Sequence, residues 1–154
     1  MTLRITILLL AWCCVSAFST QPLEERTAQD ALPQSSHKLW QSFAACKVSI
    51  NQKSGFFQIA YSDEVKAMDG TQVTVHGFIL PLEAKVKFSH LLLSKRTPTC
   101  PFCPPGEPNE VVEVFTKEPM EWREDMIALR GTLTLVNDGD KGIFFRLNDA
   151  TIEK

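Results

Sequence analysis

The sequence predicts a mostly β protein, a small five-stranded OB-like barrel with a short N-terminal helix. Three observations carry that expectation. Apolar segments of strand length alternate with turn signals from Val73 to near the C-terminus. Gly77 and Gly131 lie inside the two longest of these segments, where a closing sheet uses a bulge or a sharp bend. Ahead of the strands, Leu39, Trp40, Phe43 and Ala44 recur at helical spacing and supply a cover for apolar positions that do not fill the barrel.

The elements follow in order. A short helix is expected over His37 to Cys46. From Val48 the texture becomes β, with weak alternation over Phe57 to Tyr61. Met68-Asp69-Gly70-Thr71 is a turn signal, and the first strand runs from Val73 to Leu82. Glu83 to Lys87 connects it to a second strand, Phe88 to Lys95. Thr97 to Asn109 holds five prolines and cannot be regular sheet, because proline donates no ladder bond. Val111 to Thr116 is the third strand and Met126 to Val136 the fourth. Asn137-Asp138-Gly139-Asp140 turns the chain into a fifth strand, Gly142 to Leu147, with an extension toward Ile152. A β-sandwich fragment is the alternative architecture. The strands are too few for an immunoglobulin-like domain.

The chain of 154 residues is long enough for one ordinary domain. Residues 1–19 read as a secretory signal peptide: Arg4, then an apolar run from Ile5, then small residues at Ser16, Ala17 and Ser19. Residues 20–36 read as a flexible polar leader, and residues 37–154 as the barrel domain. The expected location is periplasmic or secreted, with no stable membrane span in the mature chain, since the apolar run falls short of the ~20 residues a span needs. The formal net charge is −2, and loss of Arg4 makes the mature chain more acidic. Such a chain lacks the basic footprint of a nucleic-acid binder.

Removing Cys13 and Cys14 with the signal leaves three cysteines, Cys46, Cys100 and Cys103. Cys100-Pro101-Phe102-Cys103 is the one short motif with chemistry. Its two sulfurs can share a soft metal ion, zinc or copper(I), join as a disulfide, or act as a redox pair. Pro104 and Pro105 directly follow, so no helix continues from Cys100 to lower its thiol pKa as a thioredoxin-like site requires. A metal would need further ligands, for which Cys46, His76, His90 and, ranked last, Glu107 are the candidates, with His90 best placed on the strand that feeds the loop. A structural staple competes with both functions. As ordinary residues, His90 and His76 are packed strand positions, and His37 ends a solvated helix. Glu83 is the most interesting carboxylate, at a strand end where a barrel mouth would lie. Asp63, Glu64, Glu110 and Glu113 are scattered at turns and strand positions and read, for the most part, as a solvated face.

Gly77-Phe78-Ile79-Leu80-Pro81-Leu82-Glu83, the Phe88 to Leu93 strand, the Cys100 to Cys103 motif and Pro108-Asn109-Glu110-Val111-Val112-Glu113-Val114 stand in a fixed order. With Gly131-Thr132-Leu133 and Phe145-Arg146-Leu147, this set resembles a family of small exported bacterial domains of unknown function, over roughly residues 45–152. The resemblance implies an exported OB-like domain and, among partners, envelope transport components linked to metal supply. It supplies no catalytic residue. The chain carries no Gly-x-Ser-x-Gly elbow, His-Glu-x-x-His helix or phosphate-binding glycine loop. The expected function is a non-catalytic accessory domain that binds a metal ion or an envelope partner through the cysteine- and proline-rich loop. A thiol-redox protein using Cys100 and Cys103 is the alternative.

Overall fold

The computed structural model describes residues 23–99 and 106–153. Residues 1–19, where a signal segment is expected, and the Cys100–Cys103 pair lie outside the described residues. Two helices come first, α1 (Leu23–Asp30) and α2 (Lys38–Ala44). A small antiparallel ribbon follows, β1 (Lys47–Ile50) with β2 (Phe57–Ala60), and then a short helix, α3 (Asp63–Ala67). The barrel strands are β3 (Gln72–Pro81), β4 (Lys87–Ser94), β5 (Val111–Glu121), β6 (Ile127–Asp138) and β7 (Ile143–Ile152). A 3-10 turn at Pro108–Glu110 leads into β5.

The five strands close in the order β3-β4-β5-β7-β6 and back to β3. All neighbours are antiparallel except β5 and β7, which run parallel. This is the five-stranded, OB-like arrangement that the apolar pattern predicts. Its interior is filled by alternate residues of each strand, as a period of two requires. Val75 and Ile79, Leu91 and Leu93, Val112 and Val114, Leu129 and Leu133, and Phe145 and Leu147 are all buried.

Gly77 and Gly131 occupy inward positions of the same pattern. Along β3, residues 72–77 register with β6 and residues 78–81 with β4. Gly77 is the hand-over point. A Cβ there would stand 2.6 Å from the Ser94 carbonyl oxygen and 2.9 Å from Leu93 Cγ. At Gly131, where the β6–β7 register shifts, a Cβ would stand 2.6 Å from the Asn148 carbonyl oxygen. Both glycines therefore permit strand backbones to approach more closely than any side chain allows.

α2 packs where the barrel would otherwise gape. The indole N–H of Trp40 donates to the His76 carbonyl oxygen at 2.7 Å, on the stretch of β3 that has no registered partner in β4. Phe43 is fully buried and stacks on Phe145 at 4.0 Å between ring centroids. Tyr61 closes the same core edge-on to Phe145, and its hydroxyl lies 2.9 Å from the Phe144 carbonyl oxygen.

Three differences from the sequence reading have local causes. The β1–β2 ribbon and α3 were not assigned from the weak pattern around them. Ser62 starts α3 by accepting the Val65 N–H, with Asp63 and Glu64 in its first turn, an arrangement that favours the positive end of a helix. The third barrel strand continues past Thr116 to Glu121, because β4 and β5 resume pairing at Phe88–Met120 and Lys87–Glu121 after a register shift. Pro119 sits within that irregular stretch, where it removes no ladder bond. Finally, residues 23–36, expected as a leader without regular structure, contain α1. That segment is tied to the end of β4 by Ser35 N–H donating to Lys95 O at 2.8 Å and by a bridge between Gln34 and Arg96.

Replacing Gly77 or Gly131 by alanine is expected to lower unfolding free energy by about 1–3 kcal/mol, because a backbone carbonyl must move. Chemical denaturation of the two single variants checks this. Unchanged midpoints would remove the close-approach account of barrel closure.

Candidate functional site

The proline- and cysteine-rich loop leaves the barrel at the end of β4 and returns at the 3-10 turn. Its two feet are joined. Lys95 N–H donates to Glu110 O at 2.9 Å. Lys95 Nζ donates to Glu110 Oε1 at 2.9 Å, and Arg96 Nε to Glu110 Oε2 at 2.8 Å. Arg96 also pairs with Asp30 at the end of α1. On the returning foot, Glu110 N–H donates to Glu107 O at 2.8 Å, and Glu107 N–H to Glu110 Oε2 at 3.4 Å. The outgoing foot is held from the other side as well, since Thr97 Oγ1 donates to Pro33 O at 2.7 Å.

Glu110 is the centre of this clasp and is buried. Burial pushes its carboxyl upward, yet hydrogen bonds from Arg96 and Lys95 outweigh that and hold it below its ordinary value of 4.5. The expectation that Glu110 belongs to a solvated face is corrected here. Its side chain is buried because Pro108 turns the chain inward just before β5. The pattern Lys95-Arg96 directly after an apolar strand, opposite an acid just before the next strand, was the sequence signal that could have found it.

A second charged group lies on the outer wall of β4, β5 and β7. His90 Nε2 is 2.8 Å from Glu113 Oε1, and Arg146 Nε donates to Glu113 Oε2 at 2.8 Å. Phe115 stands between the two basic side chains, stacked on His90 at 4.4 Å and 5.6 Å from the Arg146 guanidinium carbon. Glu113 is likewise drawn upward by burial and held below 4.5 by His90 and Arg146. It too was expected to be a solvated side chain. Cross-strand neighbours at direct register positions explain the cluster: His90 opposes Phe115 and Glu113 opposes Arg146.

The metal-ligand candidates have different surroundings: the His76 ring stacks on His37, and Glu107 lies on the returning foot of the loop beside Glu110. Cys100 and Cys103 lie outside the described residues. Cys46 belongs to the buried core beyond α2, its Sγ 3.9 Å from Ser42 O. His90 is on the outer wall with Nε2 engaged by Glu113. It stands four positions before the end of β4, which is about 13 Å along a strand. Among the described residues, no three His, Cys, Asp or Glu side chains form a group that could hold a metal ion. Glu83 sits in the β3–β4 connection. Its Oε1 accepts from Lys85 Nζ at 2.9 Å and its Oε2 from Ser89 N–H at 3.0 Å. The Lys85 bond, then the Ser89 bond, hold its carboxyl below the ordinary value, so Glu83 braces the loop that carries it.

His37 departs from the solvated helix end expected of it. Its ring stacks on His76 at 4.4 Å with an interplanar angle of 9°, and Nδ1 is buried without a hydrogen-bond partner in the described structure. Burial, then His76 and Lys38, push its pKa below 6.5, against a weaker opposite pull from Glu153.

A family profile described as "Protein of unknown function (DUF3299)" matches residues 21–142. The chain belongs to the DUF3299 family. The DUF3299 match begins at residue 21, so it takes in the segment that carries α1 as well as the loop and four barrel strands. A crystal structure of a DUF3299 family protein from Pseudomonas aeruginosa aligns with a TM-score of 0.50 at 22% identity, covering 79% of this chain and 84% of that one. At that identity the likeness bears on the fold alone. No curated protein matches.

The titrating groups make two acid-side predictions. His37 has a folded pKa below its ordinary 6.5, so the unfolded chain binds its proton more readily. Its contribution is present above about 6.5 and lost as pH falls below it. Glu110 and Glu113, also depressed, contribute above about 4.5 and lose that contribution as pH falls through their folded values. Stability measured by denaturant at a series of pH values should therefore decline first below about 6.5 and again below about 4.5. His37→Asn should remove the first decline only.

Glu110→Ala should lower stability by about 3 kcal/mol, because it leaves Arg96 and Lys95 partly buried without their shared partner. A loss under about 0.5 kcal/mol, the range of ordinary surface changes, would show that the clasp is not a stabilising element.

Proposed function

We propose that this DUF3299 chain is an exported, non-catalytic accessory domain that binds a metal ion or an envelope partner through the loop from Thr97 to Asn109. The observation that carries the reading is the Glu110 clasp. A rigid barrel wall holds both feet of a loop whose tip carries two soft sulfur ligands and several prolines, and rigid support is what a binding loop needs. The site of binding is the loop tip, with Cys100 and Cys103 as the metal ligands and zinc or copper(I) as the ion. No described helix is long and apolar enough to cross a membrane.

One observation also favours the second reading, thiol-redox chemistry. The three cysteines expected in the mature chain are odd in number, and Cys46 is buried in the core. That supports Cys46 as the unpaired thiol and leaves Cys100 and Cys103 as a matched pair.

Elemental analysis and thiol counting on protein exported with its own leader test both readings. Metal in about one-to-one ratio, lost in the Cys100→Ser, Cys103→Ser double variant, supports the metal site. Metal-free protein with one reducible disulfide and an envelope-range potential supports redox chemistry. Metal retained by the double variant would overturn the role of the loop in binding it.

A further inference from the structure

The β1–β2 ribbon is unlike the rest of the chain. It is a two-stranded sheet by itself, and an isolated pair of strands is marginal in water without further support. Support among the described residues comes through β2, whose Ile59 packs against the core. Phe57 N–H donates to Gly139 O at 2.9 Å, and the Phe57 ring lies against Gly142. This fastens β2 to the β6–β7 turn. Among the described residues β1 pairs with β2 alone, so its other edge is unpaired.

An unpaired edge is ordinarily blunted by charge, proline or a bulge. Here Lys47 is the one charge on β1, the four β1–β2 pairs run in unbroken register, and the ribbon contains no proline. The apolar face is formed by Val48, Ile50, Phe57 and Ile59. Ile50 is 52% exposed and Phe56, at the ribbon's tip, 53%. The polar face carries Lys47, Ser49 and Gln58, with Gln58 Nε2 donating to Ser49 Oγ at 3.0 Å. Between Lys47 and Ala60 the only charged residues are Lys47 and Lys53, with no acid, in a chain whose net charge is −2.

We propose that the free edge of β1 docks an extended partner segment in which apolar residues alternate with acidic ones. Such a segment adds a strand to the ribbon. Its apolar side chains meet Val48 and Ile50, and its acidic ones meet Lys47 on the opposite face, as the period of two dictates. A second copy of this chain offers no acidic side chain to Lys47 in the same place, since the segment from Lys47 to Ala60 contains none. The inference does not depend on what the cysteine loop binds.

The test uses isotope-labelled full mature chain and a blocked hexapeptide of alternating glutamate and valine. Expected are amide shifts concentrated in residues 47–60, and at least tenfold weaker binding to Lys47→Glu. A peptide with lysine in place of glutamate should bind at least tenfold more weakly to the wild type. N-methylating alternate peptide amides should abolish binding for one set and spare it for the other, because only one peptide edge faces β1. That control leaves the protein untouched, so a poorly folded variant cannot mimic the result. Absence of shifts at millimolar peptide overturns the proposal. So does binding indifferent to methylation of either edge, self-association through β1, or shifts of the same amides produced only by phosphatidylglycerol vesicles.

Discussion

For this barrel to close, backbone must pass within contact distance of backbone at two places, and both places are glycine. At Gly77 the first barrel strand leaves one neighbour for the other. At Gly131 the fourth strand slips register against the last. Each lies in an inward position that an apolar side chain would otherwise fill, and each would drive a Cβ into a carbonyl oxygen. Everything else is arranged around the resulting curvature. Because β3 turns away from β4 along its first half, a seam opens there, and α2 closes it with the Trp40 indole N–H on the His76 carbonyl. Phe43 then reaches Phe145 and completes the core from the same helix.

The charged groups obey a different logic from the core. Glu110 and Glu113 each hold two basic side chains in partly buried settings. Glu110 joins the two feet of one loop and, through Arg96, the end of α1. Glu113 joins three strands across the wall where the parallel pair meets the antiparallel ones. In both places strand pairing alone is irregular: a long loop interrupts one, and register shifts flank the other. Partly buried ion pairs add directional restraint there that apolar packing does not supply.

Most of the barrel was legible in the sequence. Inward residues such as Leu91 and Leu93 or Leu129 and Leu133 repeat at a period of two, and the interior glycines marked the bends. Strand ends were less legible, since Pro119 obscured the resumption of β5. The ribbon and α3 were hidden because their patterns are only four or five residues long, and α1 because the contacts that tie it to the barrel reach residues more than sixty positions away, such as Asp30 with Arg96. The candidate site divided in the same way. Cysteine spacing is written locally and could be read. The partners of Glu110 and Glu113 are set by strand register, which brings Glu113 beside Arg146 although they are 33 residues apart. The solvated helix end expected at His37 failed for a similar reason, because its stacking partner His76 belongs to a distant strand.

The parallel pairing of β5 with β7 has a consequence for how the molecule comes into being. The final strand is inserted between two strands already made, so the ring stays open until residues 143–152 have been synthesised. A chain emerging from its N-terminus can form the β3–β4 and β4–β5 hairpins early, but these leave two long raw edges. Closure of such distant contacts carries a large loop-entropy cost and is intrinsically slow. During that interval the unfinished chain exposes sticky sheet to its surroundings. Assembly is therefore effectively post-translational, and a product cut short before Ile143 is a substrate for proteases and chaperones rather than a smaller version of the same domain.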